Sequence, residues 1–275
     1  MRDFELLAFS GGGIRCFWHG GFLSVLEQEI DLEPEIVTGV SGGALSAAAW
    51  ISGRETLLKD LMREAFGIND ANVEASSHGM ITPHEDLYRA VVSTLLDKEA
   101  LQRIADGPRF ELLLSCPPHL MPGTVATLLY GALYKLDEAI RSDPRLVLPG
   151  KAGLGACVAD ARAAARAGTL VNLVCAAATI PPVFEMSRWG GRRVLDGAFV
   201  SKVHLPDDRP RNTLALLTKR YGKLKGSEHI TFVSPGNEVA ADKIDFTDPD
   251  KIELTWQQGE ADARRWLVSN EGGSV

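Results

Sequence analysis

A serine set among glycines, Gly39-Val40-Ser41-Gly42-Gly43, is the first arrangement in this chain that can do chemistry. In a G-x-S-x-G run the flanking glycines allow a sharp turn, and the turn holds the hydroxyl out toward an incoming acyl group. Ser41 is the candidate nucleophile, and Gly39 and Gly43 support its turn; the plainer reading is a serine capping a helix. Upstream, Gly11-Gly12-Gly13-Ile14-Arg15 offers successive backbone N–H groups, which a developing oxyanion requires. The plainer reading is a tight turn. It is not a P-loop, since no G-x-x-x-x-G-K follows, and a G-x-G-x-x-G read from Gly11 ends on Cys16. Downstream, Asp196-Gly197-Ala198 sets a carboxylate at the end of a short strand, within reach of acting as general base for a serine. A carboxylate is a weak base in water, so this role asks for partial burial without a strong cationic partner. Taken alone, Asp196 reads as a turn residue. A histidine base is the alternative: the order Ser, Asp, His is met by Asp196 followed by His204 or His229.

These motifs need elements to position them. Phe4 to Phe9 reads as a buried strand, Ile14 to Glu29 as a helix, Glu35 to Val40 as a β-branched strand and Ala44 to Ile51 as an alanine-rich helix. Strand, glycine turn and helix, repeated twice, imply a parallel sheet with helices on its faces. Helical spacing recurs over Arg54 to Phe66 and over Glu85 to Ile104, where Leu87, Val91, Leu95 and Leu96 share a face. The polar stretch Asn69 to Pro83 reads as a loop between them. Phe110 to Leu114 reads as a strand, Leu120 to Arg141 as a helix, Arg145 to Gly155 as turns and Ala161 to Ala167 as a helix. The apolar stretch from Met121 to Leu136 reads as core, with an acyl-chain channel or a lid as the alternative. A hairpin turning at Trp189 to Arg192, strands at Thr213 to Leu217 and Ile230 to Val233, and a closing helix from Trp256 to Val268 complete the chain. His19, Trp18 and Trp50 read as packing residues.

With 275 residues, the chain fits one large α/β domain, residues 1–275, with a largely helical insertion or lid at about 53–165. Lys and Arg number 29 against 36 Asp and Glu, a net charge of −7 that argues against a nucleic-acid partner. A small basic cluster, Lys219, Arg220, Lys223 and Lys225, reads as a solvated loop, with contact to anionic lipid headgroups as the alternative. The four cysteines, Cys16, Cys116, Cys157 and Cys175, form no C-x-x-C pair, so zinc spacing is absent and reduced thiols are expected. The charged start and the lack of any long apolar stretch predict neither a signal peptide nor a membrane span, hence a cytoplasmic protein with peripheral membrane contact left open.

G-G-G-x-R after the first strand, G-x-S-x-G some 28 residues on and a distant D-G-A together resemble the patatin-like phospholipases. Ala176-Ala177-Ala178-Thr179-Ile180-Pro181-Pro182-Val183-Phe184 is similar to that family's small-residue helix and I-P-x-x-F segment, and Gly259-Glu260-Ala261-Asp262-Ala263 to its last helix. The resemblance implies an α/β/α sandwich on a mostly parallel sheet and a Ser41–Asp196 dyad without histidine. It further implies an oxyanion hole from Gly11, Gly12 and Gly13 with Arg15 supporting the loop, and Gly197 serving the base. The implied activity is hydrolysis of lipid acyl esters through an acyl-enzyme, with no metal or cofactor. A carboxylesterase or thioesterase on the same dyad, and a partner-activated effector or regulatory module, are the alternatives. Two departures from the family pattern concern substrate and loop geometry: Cys16 stands where a further glycine is usual, and Ser201-Lys202-Val203-His204 replaces an Asn-Pro-like ending after D-G-A.

Overall fold

The structure, a computed structural model, describes residues 4–69, 74–76, 79–81, 84–180, 186–210, 212–222, 224, 229–243 and 245–271. The Pro181 to Phe184 part of the family-like segment, and Lys223 and Lys225, lie outside them. In chain order come β1 (Leu6–Phe9), a 3-10 turn Gly13–Cys16, α1 (Phe17–Leu26), β2 (Ile36–Val40), α2 (Gly42–Ser52) and α3 (Glu55–Gly67). Next are β3 (Glu74–Ser76), β4 (Gly79–Ile81), α4 (His84–Leu95), α5 (Lys98–Asp106), β5 (Arg109–Cys116), α6 (Gly123–Ile140) and α7 (Leu148–Lys151). Then follow β6 (Gly155–Asp160), α8 (Ala161–Arg166), α9 (Leu170–Ala177), β7 (Arg188–Trp189), β8 (Arg192–Arg193) and β9 (Leu195–Asp196). Last come β10 (Thr213–Leu216), β11 (Ile230–Val233) and α10 (Pro249–Glu271).

The central sheet runs β11-β10-β1-β2-β5-β6, with β9 also paired to β5. The first five strands of that order are mutually parallel; β6 and β9 lie antiparallel to β5. The strands at its centre are buried on both faces and so read as continuous apolar runs rather than alternating ones. Alternate residues still choose sides. Leu7, Phe9, Val37, Phe110, Leu112, Leu214 and Leu216 join one large core with side chains of α1–α5 and α8–α10. Leu6, Ala8, Ile36, Ala215 and Leu217 face the other way, against Val203, Leu205 and Tyr221. Further along that second face, Leu195 and Phe199 meet Ala126, Tyr130 and Tyr134 of α6. The fold is the α/β class that the motif order implies, a mostly parallel sheet flanked by helices. Its second outer layer is thin, made of α6 and the irregular chain after β9.

Four local expectations change. The helix anticipated from Glu85 to Ile104 is two, because Asp97 caps α5: its carboxylate accepts from the Glu99 and Ala100 amides. The stretch from Asn69 to Pro83 contains the β3–β4 hairpin rather than loop alone. β6 follows the turn-rich segment and pairs with all of Glu111 to Cys116. The expectation of reduced thiols is corrected at two of the four cysteines: Cys116 and Cys157, on these paired strands, form a disulfide, while Cys16 and Cys175 are free and buried. Their 41-residue separation hides the pairing from a reading based on spacing.

The closing helix packs against α1 without intervening side chains at one point. A Cβ on Gly259 would stand 2.4 Å from the Trp18 carbonyl oxygen, so glycine alone fits. Trp18 is fully buried and donates its indole N–H to Asp262 of α10 at 2.8 Å. Among the described residues no helix is long and apolar enough to cross a membrane.

Candidate active site

β1 and β2 are adjacent and parallel, with Phe9 opposite Gly39. The turns that follow them, Ser10 to Gly13 and Ser41, therefore emerge side by side at the carboxyl end of the sheet, where open α/β sheets place their ligand sites. Ser41 is the sole non-glycine residue with positive φ among the described residues, at φ 55° and ψ −131°. The turn is forced by its surroundings: β2 is buried along its length, α2 begins at the next residue, and a Cβ on Gly43 would fall 2.4 Å from the Ser10 carbonyl oxygen. A Cβ on Gly39, just before the turn, would fall 2.7 Å from the Ala44 Cα.

β9 brings the carboxylate. It runs antiparallel to β5 with Asp196 opposite Leu114, and the Ser115 hydroxyl and the Thr179 carbonyl fix its backbone at 2.9 Å each. Gly197 begins a 3-10 turn packed on Leu113, and the Ala198 amide donates to Asp196 Oδ1 at 2.7 Å. The other oxygen, Oδ2, accepts from the Ser41 hydroxyl at 2.5 Å across 155 residues of sequence. Asp196 is wholly buried. Burial pushes its pKa up, to about 6, against the opposing effects of the Ser41 and Ala198 hydrogen bonds and of Lys202 and Lys243 nearby.

The glycine loop lies against Ser41. Gly13 sits at φ 60° with the Lys243 carbonyl where a Cβ would be, and Thr218 donates its hydroxyl to the Gly11 carbonyl. The Gly11 amide is donated to the Lys202 carbonyl at 2.7 Å. Arg15 reaches away from the nucleophile, to the Ala241 carbonyl at 3.3 Å and to Glu238 at 3.5 Å, and so ties the loop to the segment before α10. Cys16 is buried, and burial pushes its thiol pKa up, so it stays protonated and acts as filling.

The histidine alternatives are elsewhere. His204 bonds Glu111 at 2.8 Å, and His229 precedes β11 at the opposite end of the sheet from Ser41. His19 is fully buried in α1 with its ring edge-on to Phe9.

Ser41 opens onto two cavities. One, about 60 Å³, is apolar and narrow, lined by Leu45, Leu58, Met62, Tyr88 and Phe246 among others. The other, about 410 Å³, holds Ser41, Asp196 and the glycine loop on one wall. Its far wall is charged: Tyr134 and Glu138 of α6, with Lys202, Lys219 and Lys243. Sequence reading passed over most of this wall. Lys202 was visible as a departure after D-G-A and Lys219 as part of the basic cluster, but nothing in their spacing shows that they meet. α6 also overturns the expectation of core for the apolar stretch Met121 to Leu136: Ala126, Tyr130 and Asp137 are its buried residues, while Leu128 is 75% and Leu136 52% exposed.

Comparison with known proteins gives the family. The sequence matches the family described as "Patatin-like phospholipase" over residues 7–207, which takes in the glycine loop, Ser41 and Asp196. No curated protein matches the chain. Among solved structures, the crystal structure of VipD from Legionella pneumophila superposes with a TM-score of 0.53 at 12% identity, over 98% of this chain and 67% of that one. At that identity the likeness concerns the fold.

Proposed function

The chain belongs to the patatin-like phospholipase family, and from that premise we propose that it is a lipid acyl hydrolase working through a Ser41–Asp196 dyad. The observation that carries this reading is the 2.5 Å hydrogen bond from a serine held at positive φ to a wholly buried carboxylate. Ser41 Oγ attacks the ester carbonyl as its proton passes to Asp196 Oδ2. The Gly12 and Gly13 amides and the N-terminal end of α2 receive the oxyanion. As the tetrahedral intermediate collapses, the C–O bond to the alcohol breaks and that alcohol takes the proton from Asp196, leaving the acyl group on Ser41. Water then attacks the acyl-enzyme and gives a proton to Asp196. Collapse returns that proton to Ser41 and releases the fatty acid.

The apolar cavity beside Ser41 supports an acyl ester over a polar one: at about 60 Å³ it has room for the first methylenes next to the reacting carbon, and the rest of a longer chain must lie elsewhere. The leucines that α6 turns outward beside the larger cavity support peripheral contact with a membrane.

The test is labelling with a fluorophosphonate probe together with hydrolysis of a water-soluble ester and of phospholipid vesicles. Wild type should label on Ser41. Ser41→Ala should lose the label and at least about 10³-fold in rate, and Asp196→Asn roughly 10²-fold or more. A folded Ser41→Ala protein that still hydrolyses either ester would refute the reading.

A further inference from the structure

We propose that Lys202, Lys219 and Lys243 form a binding site for the phosphate of a lipid headgroup, occupied in the free protein by the side chain of Glu138. The three ammonium groups converge on one carboxylate oxygen: Glu138 Oε1 lies 3.4 Å from Lys202 Nζ, 3.5 Å from Lys219 Nζ and 3.3 Å from Lys243 Nζ. Tyr134, one turn earlier on α6, takes hydrogen bonds from Lys202 and Lys243 at its hydroxyl.

Three features set this cluster apart from ordinary surface ion pairs. The charges do not balance, since three cations stand near two carboxylates, Glu138 in direct contact and Asp196 more remote. The cations are also partly withdrawn from water: Lys202 is 5% exposed, and Lys219 and Lys243 are each about a third exposed. A lysine this buried is retained only when something anionic meets it. Finally, the cluster lines the same cavity as Ser41.

The electrostatics agree. Burial draws the Lys202 pKa down. For Glu138 burial acts upward, but the three lysines outweigh it and hold the carboxyl at about 2. A phosphate monoester or diester carries one to two negative charges on several acceptor oxygens. It can engage three ammonium groups at once, where the single oxygen of Glu138 is shared.

A diacylglycerophosphate could then place its ester carbonyl at Ser41 and its phosphate among the lysines in place of Glu138, since both line one cavity. The inference rests on the hydrolase reading for which bond is cut, and not for the recognition of phosphate.

The experiment separates the two. Calorimetric titration of the Ser41→Ala protein would use dihexanoylphosphatidic acid, dihexanoylglycerol and inorganic phosphate. Lys219→Ala and Glu138→Gln, both at partly exposed positions, would be introduced into the same background. The phosphate lipid should bind at least about tenfold tighter than the neutral lipid and than inorganic phosphate. Lys219→Ala should narrow the gap between the lipids by about tenfold, and Glu138→Gln should widen it. Equal binding of the two lipids, or a gap indifferent to both substitutions, overturns the inference. So does inorganic phosphate binding as tightly as the lipid, which would mark a site for the free ion. If the expected gap appears while the wild-type protein hydrolyses neither lipid, the headgroup site stands and the hydrolase reading falls. Hydrolysis of both lipids with no dependence on Lys219 or Glu138 has the reverse meaning.

Discussion

At the scale of single residues, the proposed role of Asp196 makes a prediction about pH. A base must be ionised to accept the Ser41 proton, and burial moves the ionisation of this one up to about 6. Below that pH the carboxylate is increasingly protonated, so kcat/KM on a soluble ester should fall about fivefold from pH 6 to 5 and approach tenfold per unit below that. A pH–rate profile that stays flat down to pH 4 would show that Asp196 is not the base, or that it is not desolvated during turnover. The turn that carries Ser41 was legible in the sequence, because it is local: strand, glycines, serine and helix occupy consecutive positions. Its electrostatic setting was not. Lys202, Lys219 and Lys243 reach one point only because β9, β10 and the chain after β11 return to the same end of the sheet. Each lysine by itself is indistinguishable from a solvated one.

Among the elements, α6 departs furthest from expectation. An apolar stretch of its length reads as core when the sheet is assumed to be covered equally on both faces. Here the helices α1–α5 and α8–α10 crowd one face, and the second is left to α6 and irregular chain. α6 therefore uses few of its apolar residues for packing and leaves Leu128, Leu136 and Ile140 outward beside the cavity. If these residues meet lipid, Leu128→Glu combined with Leu136→Glu should reduce hydrolysis of vesicles by roughly tenfold or more. The double variant's rate on a monomeric soluble ester should change much less; equal losses on both would assign α6 a structural role. β6 was missed for a related reason. It is an edge strand with most of its residues exposed, so no hydrophobic pattern marks it.

For the whole molecule, the buried histidine of α1 links stability to acid. His19 has no exposure, and burial lowers its pKa from 6.5 to about 3, opposed by the Leu216 carbonyl. In the unfolded chain it protonates near 6.5, whereas the folded protein keeps it neutral. Its stabilisation is thus complete above pH 6.5 and lost as pH falls toward 3, by about 3 kcal/mol between pH 7 and pH 4. Asp196 acts in the opposite direction over part of that range, so the comparison must be with a variant. Denaturant unfolding of His19→Leu and wild type at pH 7 and pH 4 should show the variant gaining about 3 kcal/mol relative to wild type on acidification. An unchanged difference would mean that His19 takes up a proton without unfolding the chain. The disulfide between Cys116 and Cys157 adds a second constraint on the whole fold, closing β5 onto the edge strand β6.

Ser41 stands in a backbone conformation that glycine adopts freely and a side chain occupies at a cost of about 1–3 kcal/mol. The relaxed occupant of that position is thus a residue with no hydroxyl at all. Drift or screening that rewarded robustness alone would drive this locus toward glycine and yield a sturdier, silent relative. On the proposed reading, the strain at φ 55° is stability given up to hold a hydroxyl there, so Ser41→Gly should be the more stable and inactive protein.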